Sequence, residues 1–384
     1  MKAHQCVMIM GLGELGGLVA ELLARSPTFR GRIVGVDVDA DHGMRKMNSV
    51  LQGALCWGHT PDVVFRHGNL AEIDATAALI GQEKPDLIFN ATTLASWWLR
   101  DLLPESVKAQ LHAVGAGSGI WAPGHAALAY RLMKAVKASG ITVAVINSAY
   151  PDGTNPALAR AGLAPLAGIG NGDLLIAPLR HLAAKALSVS MARVDVHVVA
   201  HHFHAYNVLM HGNSRGLDFV VRIGLDGTDV TDMLDIPALL AKVPDTARIP
   251  GASGATWVVA ASAMSTMTAW LNGSGEVVHV PGPDGMVGGY PVVLWPEPTL
   301  ALPQGVTREA AIAVNVAAQK AEGIERFEDD GAMVLTDVAK DTLKTLFDFE
   351  IDRYPLEDSL EIARDLSARL RVLGQKHGIA MKVH

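Results

Sequence analysis

Short unbroken apolar runs alternate along the chain with longer stretches whose apolar residues recur every three or four positions. Cys6-Val7-Met8-Ile9-Met10 and Ile33-Val34-Gly35-Val36 have the length and character of strands buried on both faces. Between them, Leu15, Leu18, Val19, Leu22 and Leu23 fall on one face of a helix. Val63-Val64-Phe65, Asp86-Leu87-Ile88-Phe89 and Ile141 through Ile146 read as further strands, with Ala126 through Val136 as an intervening helix. Strands alternating with helices predict an α/β chain with a doubly wound parallel sheet. Further on, Arg193 through Ala200 alternates like a half-buried strand, and Leu217 through Val230 reads as a hairpin about Asp226-Gly227. Leu360, Ala363, Leu366 and Leu370 mark a closing helix, and Glu325 to Asp330 reads as a solvated acidic loop.

The turn between the first strand and helix changes the picture from fold to chemistry. It reads Gly11-Leu12-Gly13-Glu14-Leu15-Gly16, a G-x-G-x-x-G run in strand–turn–helix context, and the next strand ends in Asp37. Gly11 permits the tight turn, Gly13 lets a pyrophosphate approach the backbone, and Gly16 lets helix and strand pack closely. The helix start at Glu14 and Leu15 offers free N–H groups to phosphate, and Asp37 accepts hydrogen bonds from a ribose diol. A Rossmann domain binding NAD is expected, NADP being disfavoured by the Asp37 charge. Asp39 is a rival for that role, and Arg45 and Lys46 follow closely. Ligands bind beyond the carboxyl ends of such strands, so Asn90, Ala91, Thr92 and Asn147 are expected to line the nicotinamide half. Turn chemistry is the competing account of both asparagines. The turn-rich Tyr150 through Pro156 gives the expected boundary: a dinucleotide-binding domain over 1–156, then an α+β catalytic, substrate and oligomerisation domain over 157–384.

Composition narrows the function classes. The 384 residues are 49% hydrophobic and 18% charged, which excludes a largely disordered chain. The net charge of −7 gives no electrostatic case for nucleic acid. Two cysteines, Cys6 and Cys56, exclude a disulfide framework. No apolar run nears the roughly 20 residues that span a bilayer, and the apolar N-terminal run is too short for a signal peptide. A cytoplasmic homodimer or homotetramer acting on a small molecule is expected.

Candidate chemistry lies in the middle of the chain. Trp97, Trp98 and Arg100, followed by Gly115, Gly117 and Gly119, suggest a hinged substrate lid whose arginine clamps a carboxylate or polarises a carbonyl. A helix with buried tryptophans accounts for the same pattern. His201-His202-Phe203-His204 closes the strand of Arg193 through Ala200, and a histidine there is a candidate proton carrier, one of the three being structural.

The order of these features resembles the lactate/malate dehydrogenase superfamily, over most of residues 5–300. In that family a strand ends in Gly-Glu-His-Gly-Asp, and here the corresponding run is Ala200-His201-His202-Phe203-His204, which places His202 as acid/base. The family's aspartate loop is similar to Gly168-Ile169-Gly170-Asn171-Gly172-Asp173, which makes Asp173 the partner of His202. Gly254-Ala255-Thr256-Trp257, Leu271-Asn272-Gly273, Val277 through Val280 and Gly288 through Leu294 also follow the family's order. The Glu-His-Gly-Asp run is not intact, and the family's carboxylate-gripping arginine falls on Ile176, with Arg180 farther along. The resemblance implies hydride transfer between NAD and a small polar alcohol, ketone or imine. Gly68-Asn69-Leu70 followed by Asp86 through Ala91 also resembles saccharopine-dehydrogenase-type nucleotide domains. Two alternatives stay open: NAD-assisted, metal-using non-redox chemistry of the glycosidase kind, and an NAD(H) sensor without turnover. No metal is expected, although His201 and His204 are possible ligands.

Overall fold

In the computed structural model, which describes residues 5–94, 102–113, 118–249 and 252–379, the first apolar run forms β1 (Gln5–Met10), buried from Val7 onward. Helix α1 (Glu14–Ala24) follows, then β2 (Gly31–Asp37), α2 (Ala40–Cys56), β3 (Asp62–His67), α3 (Ile73–Glu83) and β4 (Leu87–Asn90). Next come α4 (Glu105–Ala113), α5 (Ala122–Ser139), β5 (Ala144–Asn147), α6 (Pro151–Arg160) and β6 (Ala167–Gly168). The six strands form one parallel sheet in the order β3-β2-β1-β4-β5-β6. This is the doubly wound arrangement, with its switch point between β1 and β4. Register aligns Met10, Asn90, Asn147 and Gly168 in one row at the carboxyl edge. Local sequence explains the helices: α1 starts directly after Gly13, and Asp39 caps α2 by accepting from His42 N at 3.0 Å.

The second half opens with α7 (Ile176–Leu187), β7 (Val194–Val199), α8 (His202–His211), β8 (Val220–Leu225) and β9 (Thr228–Asp229). The hairpin expected about Asp226-Gly227 is β8–β9. Short helices α9 (Ile236–Ala241) and α10 (Val243–Thr246) lead to α11 (Thr256–Asn272), β10 (Val277–Pro281), β11 (Gly289–Val293) and β12 (Thr299–Leu300). The chain finishes with α12 (Arg308–Ala321), β13 (Ile324–Phe327), β14 (Met333–Leu335), α13 (Asp337–Phe347), β15 (Arg353–Tyr354) and α14 (Ser359–Lys376). Strands after β6 form three antiparallel three-stranded sheets. The segment expected as an acidic loop instead begins with β13, because Ile324 is fully buried and β14 pairs with it. Among the described residues no helix is long and apolar enough to cross a membrane.

Two cores flank the parallel sheet. On one side Val19, Ala20 and Leu23 of α1 cluster with Ala260, Ala263, Met267 and Leu271 of α11. On the other, α5 supplies Leu132 and Met133, and the C-terminal segment supplies Met333, Leu343, Leu366 and Leu370 to the same cluster. The Tyr354 hydroxyl donates to the Ile120 carbonyl at 3.2 Å. The final segment is therefore built into the sheet's own core.

A buried amide chain crosses the carboxyl edge. Asn90 Nδ2 donates to Asn147 Oδ1 at 2.9 Å, Asn147 Nδ2 to Asn155 Oδ1 at 2.9 Å, and Asn155 Nδ2 to the Gly282 carbonyl at 3.1 Å. It ties β4, β5 and α6 to the turn after β10. Asn147→Ala should leave the buried Asn90 and Asn155 amides short of partners, each orphaned group costing about 1–3 kcal/mol. Denaturant unfolding of the variant should show a lowered midpoint.

Candidate functional site

The glycine turn is built as its spacing requires. Gly11 has φ +87, and its N–H donates to the Val36 carbonyl at 2.8 Å. A Cβ on Gly16 would stand 1.9 Å from the Gly11 carbonyl oxygen, so α1 and the turn approach closely only because that position is glycine. A Cβ on Gly13 would meet open space, so the backbone there is accessible to a ligand. Glu14 is exposed at the first residue of α1, and Leu15 packs half-buried against the α1–α11 core. Asp37 is held at the turn: its Oδ2 accepts from Leu12 N at 2.7 Å and its Oδ1 from Asp39 N at 2.9 Å. Asp39 spends its side chain on the α2 cap, and Arg45 is paired with Asp41 through Nε at 2.9 Å. The Lys46 stem lies over Gly17.

The residues expected at the nicotinamide end are at the carboxyl edge, but the two asparagines face inward. Asn147 is 1% exposed, and its amide is saturated. Nδ2 donates to Asn155 and to the Ala149 carbonyl, while Oδ1 accepts from Asn90 and from Ala149 N. Asn90 Oδ1 accepts from Thr92 N at 3.2 Å and Thr92 Oγ1 at 2.6 Å. The asparagines thus shape the edge, whereas Ala91 and Thr92 are half-buried on it.

The three histidines divide their labour. His201 is the N-cap of α8: its Nδ1 accepts from Phe203 N at 3.3 Å, and its own N–H donates to His204 Nδ1 at 3.1 Å. This is a reciprocal capping box made of two rings. Both are buried, which lowers the pKa of His201 and pushes that of His204 down to about 4. His202 is left at the first position of α8 with a partly exposed ring. Its Nδ1 lies 2.6 Å from Glu322 Oε1 and 3.3 Å from Ser118 Oγ. Its backbone N–H donates to Asp152 Oδ1 at 3.0 Å. The Tyr150 ring meets His202 edge-on, with centroids 5.9 Å apart, and its hydroxyl donates to Glu322 Oε2 at 2.9 Å.

Three participants were not foreseen: Tyr150, Asp152 and Glu322. Tyr150 lies three residues beyond β5, in the left-handed region at φ 43, before α6 begins at Pro151. Asp152 is fully buried; desolvation raises its pKa against the opposing charges of His201 and His202, and Asn171 also donates to it. Glu322 caps the C-terminus of α12 and is 2% exposed. Burial works against its charge, yet the charge and hydrogen bond of His202, with His201 and Tyr150, hold its pKa down at about 2.

Other expected partners lie elsewhere. The Asp173–His202 pair is replaced: Asp173 hydrogen bonds with Ser262 of α11, burial raises its pKa, and the carboxylate on His202 is Glu322. The reason is direction, since the ring of His202 turns toward the α12–β13 junction while Asp173 turns toward α11. Ile176 packs on the α7–β7 core, and Arg180 pairs at 3.7 Å with Asp195 on β7. Arg100, Trp97 and Trp98 lie outside the described residues. Among the described residues, no group of three or more His, Cys, Asp or Glu is placed to hold a metal ion.

No family model matches the chain, and no curated protein matches it. Solved structures do. Malate dehydrogenase from Plasmodium falciparum superposes with a TM-score of 0.58 at 13% identity, over 83% of this chain and 97% of that one. The minor L-lactate dehydrogenase from Enterococcus mundtii gives 0.56 at 17% identity, over 83% and 96%. A Cryptosporidium parvum lactate dehydrogenase, complexed with lactic acid and nicotinamide adenine dinucleotide, gives 0.55 at 13% identity, over 84% and 98%. The chain therefore has the α/β fold of the lactate and malate dehydrogenases, with distant sequence resemblance.

The depressed Glu322 pKa carries a signed pH dependence. A carboxyl group that ionises more readily folded than unfolded stabilises fully above its unfolded pKa and loses that contribution as pH falls through the folded one. For Glu322 the window runs from the ordinary 4.5 down to about 2. Glu322→Gln should be less stable than wild type at pH 7, the gap narrowing through that window in denaturant titrations.

Proposed function

We propose that the protein is an NAD-dependent oxidoreductase that moves hydride between nicotinamide and a small polar alcohol, ketone or imine, with His202 as acid/base. The observation that supports this most is the conjunction, at one sheet edge, of an open dinucleotide cradle and an imidazole seated on a buried carboxylate. Gly11, Gly13 and Gly16 fit a pyrophosphate against the start of α1, since the Gly13 position faces open space. Asp37, already oriented by Leu12 N, keeps acceptor capacity for a ribose diol, and its charge opposes a 2′-phosphate. Arg45, engaged by Asp41, leaves that preference intact. The fold shared with lactate and malate dehydrogenases points the same way.

When bound, the nicotinamide supplies the two-electron acceptor or donor. The chain's own work is to place and move a proton. His202 takes the hydroxyl proton at the ring nitrogen away from Glu322 during oxidation and returns it during reduction. Ala91 and Thr92 border the space at the strand ends, and Tyr150 packs against the imidazole and shields one side of it. In the reverse direction Arg100 is assigned to polarise the carbonyl.

NADH should bind and change its fluorescence, and a panel of small alcohols, ketones and imines should include one that produces a net absorbance change at the nicotinamide band, with or without chelator. His202→Ala should lower that turnover by about 10²–10⁴-fold while NADH still binds. Undiminished turnover in the variant removes His202 from the reaction. Cofactor turnover that needs a metal and leaves no net NADH indicates non-redox chemistry.

A further inference from the structure

We propose that Glu322, entering from the α12–β13 turn, is the positioning residue of His202, holding Nδ1 protonated so that Nε2 is the ring's acceptor nitrogen, with Tyr150 securing Glu322 in turn. This rests on His202 being the acid/base and adds the group through which that role is set.

Geometry carries the assignment. The 2.6 Å separation of Nδ1 and Oε1 is that of a short, charge-assisted hydrogen bond. The Glu322 side chain is only 3% exposed, so water cannot solvate its charge, and both oxygens are occupied, Oε1 by the imidazole and Oε2 by the Tyr150 hydroxyl. A carboxylate so placed accepts only, so the nitrogen facing it must carry the proton. The neutral ring then presents Nε2 as its acceptor. Tyr150 adopts its left-handed backbone at this point, a conformation that surrounding packing must impose on a bulky residue.

Among the described residues, Glu322 is the carboxylate within hydrogen-bond distance of the ring, and Asp152 acts on it through space. Asp152 of α6 meets the backbone N–H of His202, not its ring. Ser118 Oγ and the Tyr150 ring are neutral, and Tyr206, one turn along α8, stacks with centroids 6.3 Å apart. His125 of α5 approaches Tyr150. His201 is spent on the α8 cap, and Asp173 on Ser262.

The test needs no substrate. Full-length protein with ¹⁵N-labelled histidine is titrated by NMR, the His202 signals being those lost in His202→Gln. Wild type should show the Nδ1–H tautomer when neutral. In Glu322→Gln the His202 midpoint should fall by about one pH unit or more, a tenfold change in proton affinity. Asp173→Asn should leave the midpoint in place. An Nε2–H tautomer in wild type, an unmoved midpoint in Glu322→Gln, or a larger shift in Asp173→Asn overturns the assignment. If Glu322→Gln does not fold, the wild-type tautomer and the Asp173→Asn midpoint still decide. NADH titrated into wild type reports separately on the nucleotide reading, so its failure is distinguishable from a wrong tautomer.

Discussion

A carboxylate cannot be buried alone, and Glu322 is the place where the fold answers that constraint. Taking an ion out of water costs several kcal/mol even after relaxation, unless its partners are well placed. Here the partners come from separated parts of the chain, the His202 imidazole from the start of α8 and the Tyr150 hydroxyl from the end of the parallel sheet. The interaction fixes where three segments meet. It also explains why the C-terminal segment shares a core with α5, since Ile324 and Met333 follow Glu322 into the same apolar cluster.

The amide chain from Asn90 through Asn147 to Gly282 meets a related need with neutral groups. Strand ends in a parallel sheet leave polar atoms pointing into a crevice. An asparagine with every donor and acceptor engaged stiffens that crevice without placing a charge in it. The rigid edge carries the glycine turn on one side of the switch point and Tyr150 on the other. Position, more than reach, is therefore what these asparagines contribute.

How far the sequence could be read depended on how local each role was. The glycine turn and Asp37 serve neighbours within about 26 positions, and each residue type suits a specific backbone demand; the structure arranges them as the spacing implies. The histidine cluster was visible too, though the structure assigns two of its rings to capping. Glu322 was not legible. It sits in Lys-Ala-Glu-Gly at a helix end, where a glutamate ordinarily faces solvent, and only the long-range packing of α12 buries it. Asp173 drew attention because its loop resembles a known aspartate loop, and resemblance in sequence says nothing about where a side chain turns. Tyr150 and Asp152 were hidden inside a stretch whose prolines and glycine read as a turn, yet it folds into α6.

The histidine capping box has a further consequence. Serine or aspartate at a helix start accepts hydrogen bonds at any ordinary pH, whereas an imidazole accepts only while unprotonated. His201 and His204 both serve as acceptors through Nδ1, and burial keeps them neutral. The helix that carries His202 is thus fastened by lone pairs that only acid strong enough to overcome the burial of both rings would fill.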